Sequence, residues 1–345
     1  MANPYFVGFD LDETLGYFSS PSIHLIFLDP RMYYRDYKDY SPFDPSPQLQ
    51  EQLDKVFTEF VHCLAATEEG KQCLRPGILP ILKFLLQAKE KGTVQAIAMY
   101  SNNGNYGCLR LAKELLEYIL GEPIFCALVN FWHPVRAQGN SRNMTRPGRA
   151  TKTFQVLRKI FSSACGGIEQ TILPEHTLFF DDNLHPDILV KISPKNYFKV
   201  NPYKKDISFQ TIQTCFLQAI QSQGLDTNRE YLEYVKPFIR KPEPTFADVL
   251  AYIETKNRGY TFKNDPYDDD TEQIVSRLDS MLFTPSPLPL SSPLPLSSGT
   301  QSTNVNYGQN YFPVVDGGGK KKHKSLTKKK KYKQRKSTRK AHRKI

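Results

Sequence analysis

Unbroken apolar runs and helix-spaced apolar positions take turns along residues 5–200 of this chain. Short apolar runs at about 5–10, 94–100, 124–131, 177–181 and 196–200 have the length and composition of strands buried on both faces. Between them, stretches at about 78–91, 106–120 and 152–163 place apolar residues three and four apart, the spacing of amphipathic helices. This order predicts an α/β fold, a Rossmann-like parallel sheet with helices on both faces.

Two more regions follow helical spacing. Pro47 to Ala66, with Ser46 as cap and Pro47 in the first turn, predicts a long helix. It lies inside an insertion, 16–74, whose early part is rich in Tyr and Phe and which reads either as a small lid or as extra scaffold. Residues 206–262 predict a helical extension, with Ile207, Ile212, Phe216, Leu217 and Ile220 on one face and Phe246, Val249, Leu250 and Ile253 on another. From 263 the pattern lapses. Asp265 to Asp270 is acidic, Thr284 to Ser298 repeats Ser, Pro and Leu, and 263–319 reads as a disordered spacer ahead of a basic tail at 320–345. The expected division is thus an α/β domain at 1–205, the extension, the spacer and the tail.

The run Tyr5 to Phe9 ends in Asp10-Leu11-Asp12, and Thr177 to Phe180 ends in Asp181-Asp182-Asn183. Ligands of open α/β sheets bind beyond the carboxyl ends of the strands, so chemistry is expected where these acids sit. Carboxylates held together and partly buried need a cation, and Mg²⁺ suits hard oxygen ligands. One D-x-D after a strand fits a helix cap as readily as a metal site. Two strands that both end in acids favour a single shared metal.

At Asp10-Leu11-Asp12-Glu13-Thr14 and Phe179-Phe180-Asp181-Asp182 the chain resembles the haloacid dehalogenase (HAD) superfamily of phosphohydrolases. The strand-like Ala96 to Tyr100 followed by Ser101-Asn102 is similar to that family's second motif, and Lys152, ahead of Phe154, Leu157, Ile160 and Phe161, to the lone Lys of its third. The resemblance spans about residues 5–202. Leu74 to Leu79 and Asn105-Tyr106 are similar to a narrower group, the RNA polymerase II C-terminal-domain phosphatase-like (NLI-interacting-factor-like) family, which usually carries Thr where this chain has Ser101.

The resemblance implies a HAD-like fold and a Mg²⁺-dependent phosphoric monoester hydrolase. Asp10 would be the nucleophile that forms an aspartyl-phosphate, and Asp12 the group that protonates the leaving oxygen and then activates water. A dehalogenase needs no such proton donor. Ser101 and Lys152 would meet charge on the phosphoryl group. Thr14 would brace the loop beside the substrate, with Asn102 also in the substrate-binding set. The metal would be held by Asp10, by the backbone carbonyl of Asp12 and by an acid of the last motif, Asp181 first, with Asp182 behind it or acting through water. His185, beside Pro186, reads as a turn or helix-start residue rather than a ligand. A phosphoprotein is the first substrate expected, and a nucleic-acid end or nucleotide the second. A non-catalytic phosphate-binding or tethering module on the same fold is the other class of function.

The loop Trp132 to Ala150 holds Arg136, Arg142, Arg146 and Arg149 and no acid. It reads either as a solvated face or, through Arg146 and Arg149 in particular, as a site for phosphate, which guanidinium forks bind bidentately. Net charge is +11, but the tail alone, Lys320 to Ile345, has 15 Lys or Arg and no acid. That leaves 31 of the 46 basic residues to face 35 acidic ones, so the body is mildly acidic. The tail is expected to bind polyanions, nucleic acid first, and it resembles the basic carboxyl termini of some proteins of large DNA viruses. No apolar run approaches the roughly 18 residues that span a bilayer, so no transmembrane segment is expected. The six cysteines form no C-x-x-C pair, which points to free buried thiols in a reducing compartment, cytoplasm or nucleus.

Overall fold

The computed structural model describes residues 3–33, 44–137, 151–166 and 169–283. Five strands, β1 (Tyr5–Phe9), β2 (Val94–Tyr100), β3 (Phe125–Val129), β4 (Thr177–Asp181) and β5 (Tyr197–Lys199), form one sheet. Its order is β3-β2-β1-β4-β5 and every neighbouring pair is parallel. The α/β class expected from the alternating pattern is the class observed. After β1 the chain builds outward through β2 and β3, then crosses back to place β4 on the other side of β1. The boundary between β1 and β4 is therefore the topological switch point, where a parallel sheet leaves a crevice at its carboxyl edge.

Helices cover both faces. In chain order they are α1 (Ser22–Leu28), α2 (Pro30–Tyr33), α3 (Pro47–Ala66), α4 (Glu68–Lys71), α5 (Ile78–Glu90), α6 (Tyr106–Leu120), α7 (Pro134–Ala137), α8 (Phe154–Ala164), α9 (Pro186–Lys191), α10 (Phe209–Ser222), α11 (Arg229–Ile239), α12 (Phe246–Asn257) and α13 (Thr271–Leu282). Successive strand residues point to opposite faces, and the sheet obeys this. Val7, Phe9, Ile97, Met99, Leu178 and Phe180 enter one apolar cluster. Phe6, Ala96, Ala98, Tyr100 and Phe179 enter the other, with Leu157, Ile160 and Phe161 of α8 and Ile188 of α9. Gly8 leaves room here: a Cβ would lie 2.8 Å from the Phe179 side chain and 2.9 Å from that of Leu157, so its absence lets α8 settle against β1 and β4 without either side chain shifting.

The larger cluster takes in more than the sheet. Leu49, Leu53, Phe57 and Phe60 of α3 join it, as do Ile212, Phe216 and Ile220 of α10, Tyr231 and Tyr234 of α11, and Val249 and Ile253 of α12. Residues 206–262 thus extend the same core. The described part of the 16–74 insertion does so too, with α3 packed on α6 and α10, as scaffold. Ser46 accepts a hydrogen bond from Leu49 N–H, the cap expected for α3.

Two expectations are corrected. Residues 263–283 do not belong to a disordered spacer: Ile274, Leu278 and Leu282, spaced by four, bury one face of α13 against α5. The preceding acidic run supplies Asp270, which pairs with the buried Arg75 guanidinium and accepts from Asn201 N–H at 2.9 Å. Those acids read as part of a spacer because their cation lies far back in the chain. The second correction concerns cysteine. Cys63 is bonded to Cys215 and Cys126 to Cys165, leaving Cys73 and Cys108 as buried free thiols. The partners stand 152 and 39 residues apart and meet only because α3 packs on α10 and α8 on β3. With them falls the argument from free thiols to a reducing compartment. The repeat at Thr284 to Ser298 and the basic tail lie outside the described residues.

Candidate active site

β1 carries Asp10 to the carboxyl edge of the sheet, where its N–H donates to Phe180 C=O at 2.9 Å and so continues the pairing with β4. The chain then turns sharply, with Thr14 and Leu15 N–H both donating to Leu11 C=O. Glu13 sits at φ 65°, a left-handed conformation uncommon for a residue with a side chain. Gly16 closes the turn against the segment before α5, where a Cβ would come within 2.2 Å of Cys73 C=O. Asp10 and Asp12 are thereby held on a rigid turn. Thr14, almost wholly buried, accepts from Asp182 N–H at 2.9 Å and donates to Asp182 Oδ1 at 3.3 Å. It ties the two acidic strand ends together and does not line the cavity.

Lys152 is completely buried just ahead of α8, whose first turn is capped by Thr153. Its Nζ lies 2.8 Å from Asp10 Oδ1 and 2.6 Å from Asp181 Oδ2. Burial works against the ammonium, but the two carboxylates outweigh it and raise its pKa. Asp181 is opposed by burial as well, yet Lys152 and His185 hold its pKa below the ordinary value. Burial pushes Asp10 up, with Lys152 opposing and Asp181 reinforcing. Asp12 is pushed up to about 7, first by burial and then by the charge of Asp10, and Asn103 Nδ2 donates to its Oδ2 at 2.9 Å. Asp182 is also pushed up to about 7, by burial and then by Asp10 and Asp181.

Ligand oxygens of Asp10, Asp181 and Asp182 lie within 4.8 Å of one another, so this buried group could hold a metal ion. Its members are not equivalent. Asp181 is fully enclosed, with Oδ2 engaged by Lys152 and by His185 Nε2 at 3.2 Å, and Oδ1 by Asn183 N–H at 2.7 Å. Asp10 and Asp182 both line the cavity. Asp10 Oδ1 is met by the Lys152 ammonium at 2.8 Å. A hard cation suits such a set: it would offset the burial, and the mutual repulsion behind it, that raise Asp10 and Asp182. All three remain in the metal-capable group, with Asp182 lining the cavity and Asp181 also serving Lys152.

A cavity of about 780 Å³ opens over these groups, lined by Asp10, Asp12, Ser101, Asn102, Asn103 and Asp182 among others. Ser101 and Asn102 follow β2 on a turn in which Ser101 Oγ accepts from Asn103 N–H at 3.1 Å. None of the described residues of the 16–74 insertion lines the cavity. Arg142, Arg146 and Arg149 lie outside the described residues. The structure therefore brings together Asp10, Asp12, Ser101, Asn102, Lys152, Asp181 and Asp182, with Thr14 behind them. His185, expected at a helix start, is the N-cap of α9, and it also accepts from Lys152 N–H and donates to Asp181. Two participants were passed over in the sequence. Asn103 was hidden in a turn-rich cluster. Lys204, after β5, stands at the cavity lip 3.2 Å from Glu13.

No protein-family model, curated protein or solved structure matches this chain. The all-parallel α/β sheet and the acidic cluster at its switch point are compatible with HAD-like folds. The cluster is a candidate metal site. Among the described residues no helix is long and apolar enough to cross a membrane.

Proposed function

We propose that this protein is a Mg²⁺-dependent phosphatase of the HAD type, working through an aspartyl-phosphate on Asp10. One observation carries the reading. A wholly buried lysine bridges Asp10 and Asp181 at the floor of an open cavity, and a second carboxylate, Asp12, stands beside them with its pKa raised to about 7. A nucleophile, a fixed cation and a carboxyl able to carry a proton near neutral pH are what two-step phosphoryl transfer requires.

In the first step an oxygen of Asp10 attacks phosphorus, the bond to the leaving oxygen breaks, and protonated Asp12 delivers its proton to that oxygen. In the second, Asp12 takes a proton from water, the water oxygen attacks phosphorus, and the bond to Asp10 breaks to release phosphate. Lys152 balances the charge of Asp10 and Asp181. Ser101 and Asn102 offer donors to the phosphoryl oxygens, a class of interaction typically worth about 10² to 10³ in rate. Asp10, Asp182 and the backbone carbonyl of Asp12 would hold Mg²⁺, which supplies charge for the phosphoryl oxygens when bound. The open cavity, free of cover from the described part of the insertion, favours a phosphorylated macromolecule, a phosphoprotein ahead of a nucleic-acid end or nucleotide.

Hydrolysis of an aryl phosphate, with Mg²⁺, with EDTA and by D10N, tests the reading. Turnover with Mg²⁺ that is lost in the other two arms is expected. Turnover surviving both would refute the mechanism, and none in any arm would leave a phosphate-binding module as the better account. Phosphopeptide, 5′-phosphorylated oligonucleotide and nucleotide arms then rank the substrates.

A further inference from the structure

Arg136 is the one member of the arginine-bearing loop placed within the described residues, and it does not face solvent. It is 4% exposed, in the short helix α7, and its guanidinium reaches back under the turn that follows β2. One arm donates to the Ser101 backbone carbonyl at 2.8 Å and another to Asn102 Oδ1 at 2.7 Å. The guanidinium carbon lies 5.0 Å from the centre of the Tyr100 ring and 5.4 Å from that of Phe131. Among the described residues no carboxylate pairs with it, and it does not line the cavity.

Burying a guanidinium without a carboxylate is costly, and two hydrogen bonds with two aromatic faces offset only part of that cost. What they do secure is geometry. A planar fork can hold a backbone carbonyl and a side-chain amide oxygen in fixed relative positions, which an ammonium on a flexible stem does not do. The two atoms gripped belong to Ser101 and Asn102, which line the cavity over Asp10. The guanidinium also sets a permanent positive charge behind the turn, on the side away from the cavity.

Resting on the phosphatase reading, we propose that Arg136 is a positioning residue: it fixes the Ser101–Asn102 turn so that this turn presents donors to the phosphoryl group. Loss of a group that orients the donors acts on the transition state more than on encounter with substrate. R136A should therefore lower kcat by roughly ten- to a hundredfold with KM changed far less, below the range for deleting a donor outright. R136K keeps the charge but not the fork, and should be impaired to a similar degree. Guanidinium ion at tens of millimolar should restore much of the R136A rate, and an equal concentration of a simple ammonium salt should not.

The experiment measures kcat and KM of wild type, R136A and R136K on an aryl phosphate, with and without guanidinium. In parallel, amide NMR of the metal-free proteins follows Ser101, Asn102 and Asn103. Shifts in R136A centred on these three amides and reversed by guanidinium support the assignment whether or not the wild type turns over. A wild type inactive on every phosphate ester overturns the phosphatase reading while those shifts still decide the role of Arg136 in the turn. R136K with wild-type kcat, or R136A amides unchanged at all three positions, overturns the proposal. Should R136A fail to fold, the kcat and amide shifts of R136K decide it alone.

Discussion

Lys152 offers the sharpest test of the site because its burial and its two ion pairs set the size of the effect. Its side chain is 0% exposed and its ammonium lies 2.8 Å from Asp10 and 2.6 Å from Asp181. Removing one partner from a buried ion pair typically costs about 3–5 kcal/mol, because the remaining charge keeps its desolvation penalty. K152M is nearly isosteric, so it isolates charge from volume, and it should destabilise the metal-free protein by about that amount. A folded domain is typically stable by about 5–15 kcal/mol, so the variant should remain folded at low temperature with a much lower urea midpoint. Most of the penalty comes from carboxylates left without a cation. Neutralising one of them in K152M/D181N should then cost clearly less than K152M and D181N added together, with a coupling of about 0.5–3 kcal/mol. Urea unfolding followed by circular dichroism in EDTA, on the four proteins of the cycle, measures it. K83M, at an exposed lysine, serves as control and should stay within about 0.5 kcal/mol of wild type. Additive effects, or a K152M midpoint matching that of K83M, would refute the reasoning that Lys152 is the counter-ion of a buried carboxylate pair.

Other consequences can be measured independently. Asp182 faces the cavity while Asp181 is enclosed behind it. By calorimetry, D182N should therefore abolish measurable Mg²⁺ binding, whereas D181N, acting from behind, should weaken it by about 10- to 100-fold. His24 is wholly buried against Phe209 and Phe216, with neither ring nitrogen hydrogen-bonded among the described residues, and burial lowers its pKa to about 3. The unfolded chain, where the imidazole titrates near its ordinary value of 6.5, binds the extra proton. Stability present above that value is lost as pH falls toward 3, by up to about 1.4 kcal/mol per pH unit, and H24F should flatten this acid limb relative to wild type. An acid limb of equal slope in the two proteins would contradict it. Closing loops across separations of 152 and 39 residues gives chain-entropy values of about 5 and 4 kcal/mol for the two disulfides. C63S/C215S should lower the thermal midpoint more than C126S/C165S does, and peptide mapping without reductant should recover the two linked pairs.

Much of the architecture was legible from spacing alone, because strand and helix periods are local properties that packing then satisfies. The runs at 94–100, 106–120 and 177–181 and the Pro47–Ala66 helix fall where the apolar pattern places them. The acids gathered at the site were legible for a related reason, since a short apolar run ending in acids points its chemistry at one edge of a parallel sheet, while Ser101, Asn102 and Lys152 were expected only through the resemblance to a family. What each of those residues touches was not legible. Asp181 and Asp182 are neighbours in the chain and nearly equivalent as letters, yet strand alternation turns one inward to Lys152 and the other toward the cavity. Arg136 read as one of a basic group either solvated or binding phosphate, and only the folding of α7 beneath the turn after β2 buries it. The same holds for the acidic run that ends in Asp270, whose partner Arg75 is 195 residues away, and for cysteines joined across helices. The sequence by itself determined most of the elements at 5–200, the parallel sheet and the edge at which acids collect, since these follow from local periodicity. Tertiary structure alone decided partner and burial, hence which carboxylate carries a lysine and which faces the open cavity, because those depend on contacts between segments that no local pattern encodes.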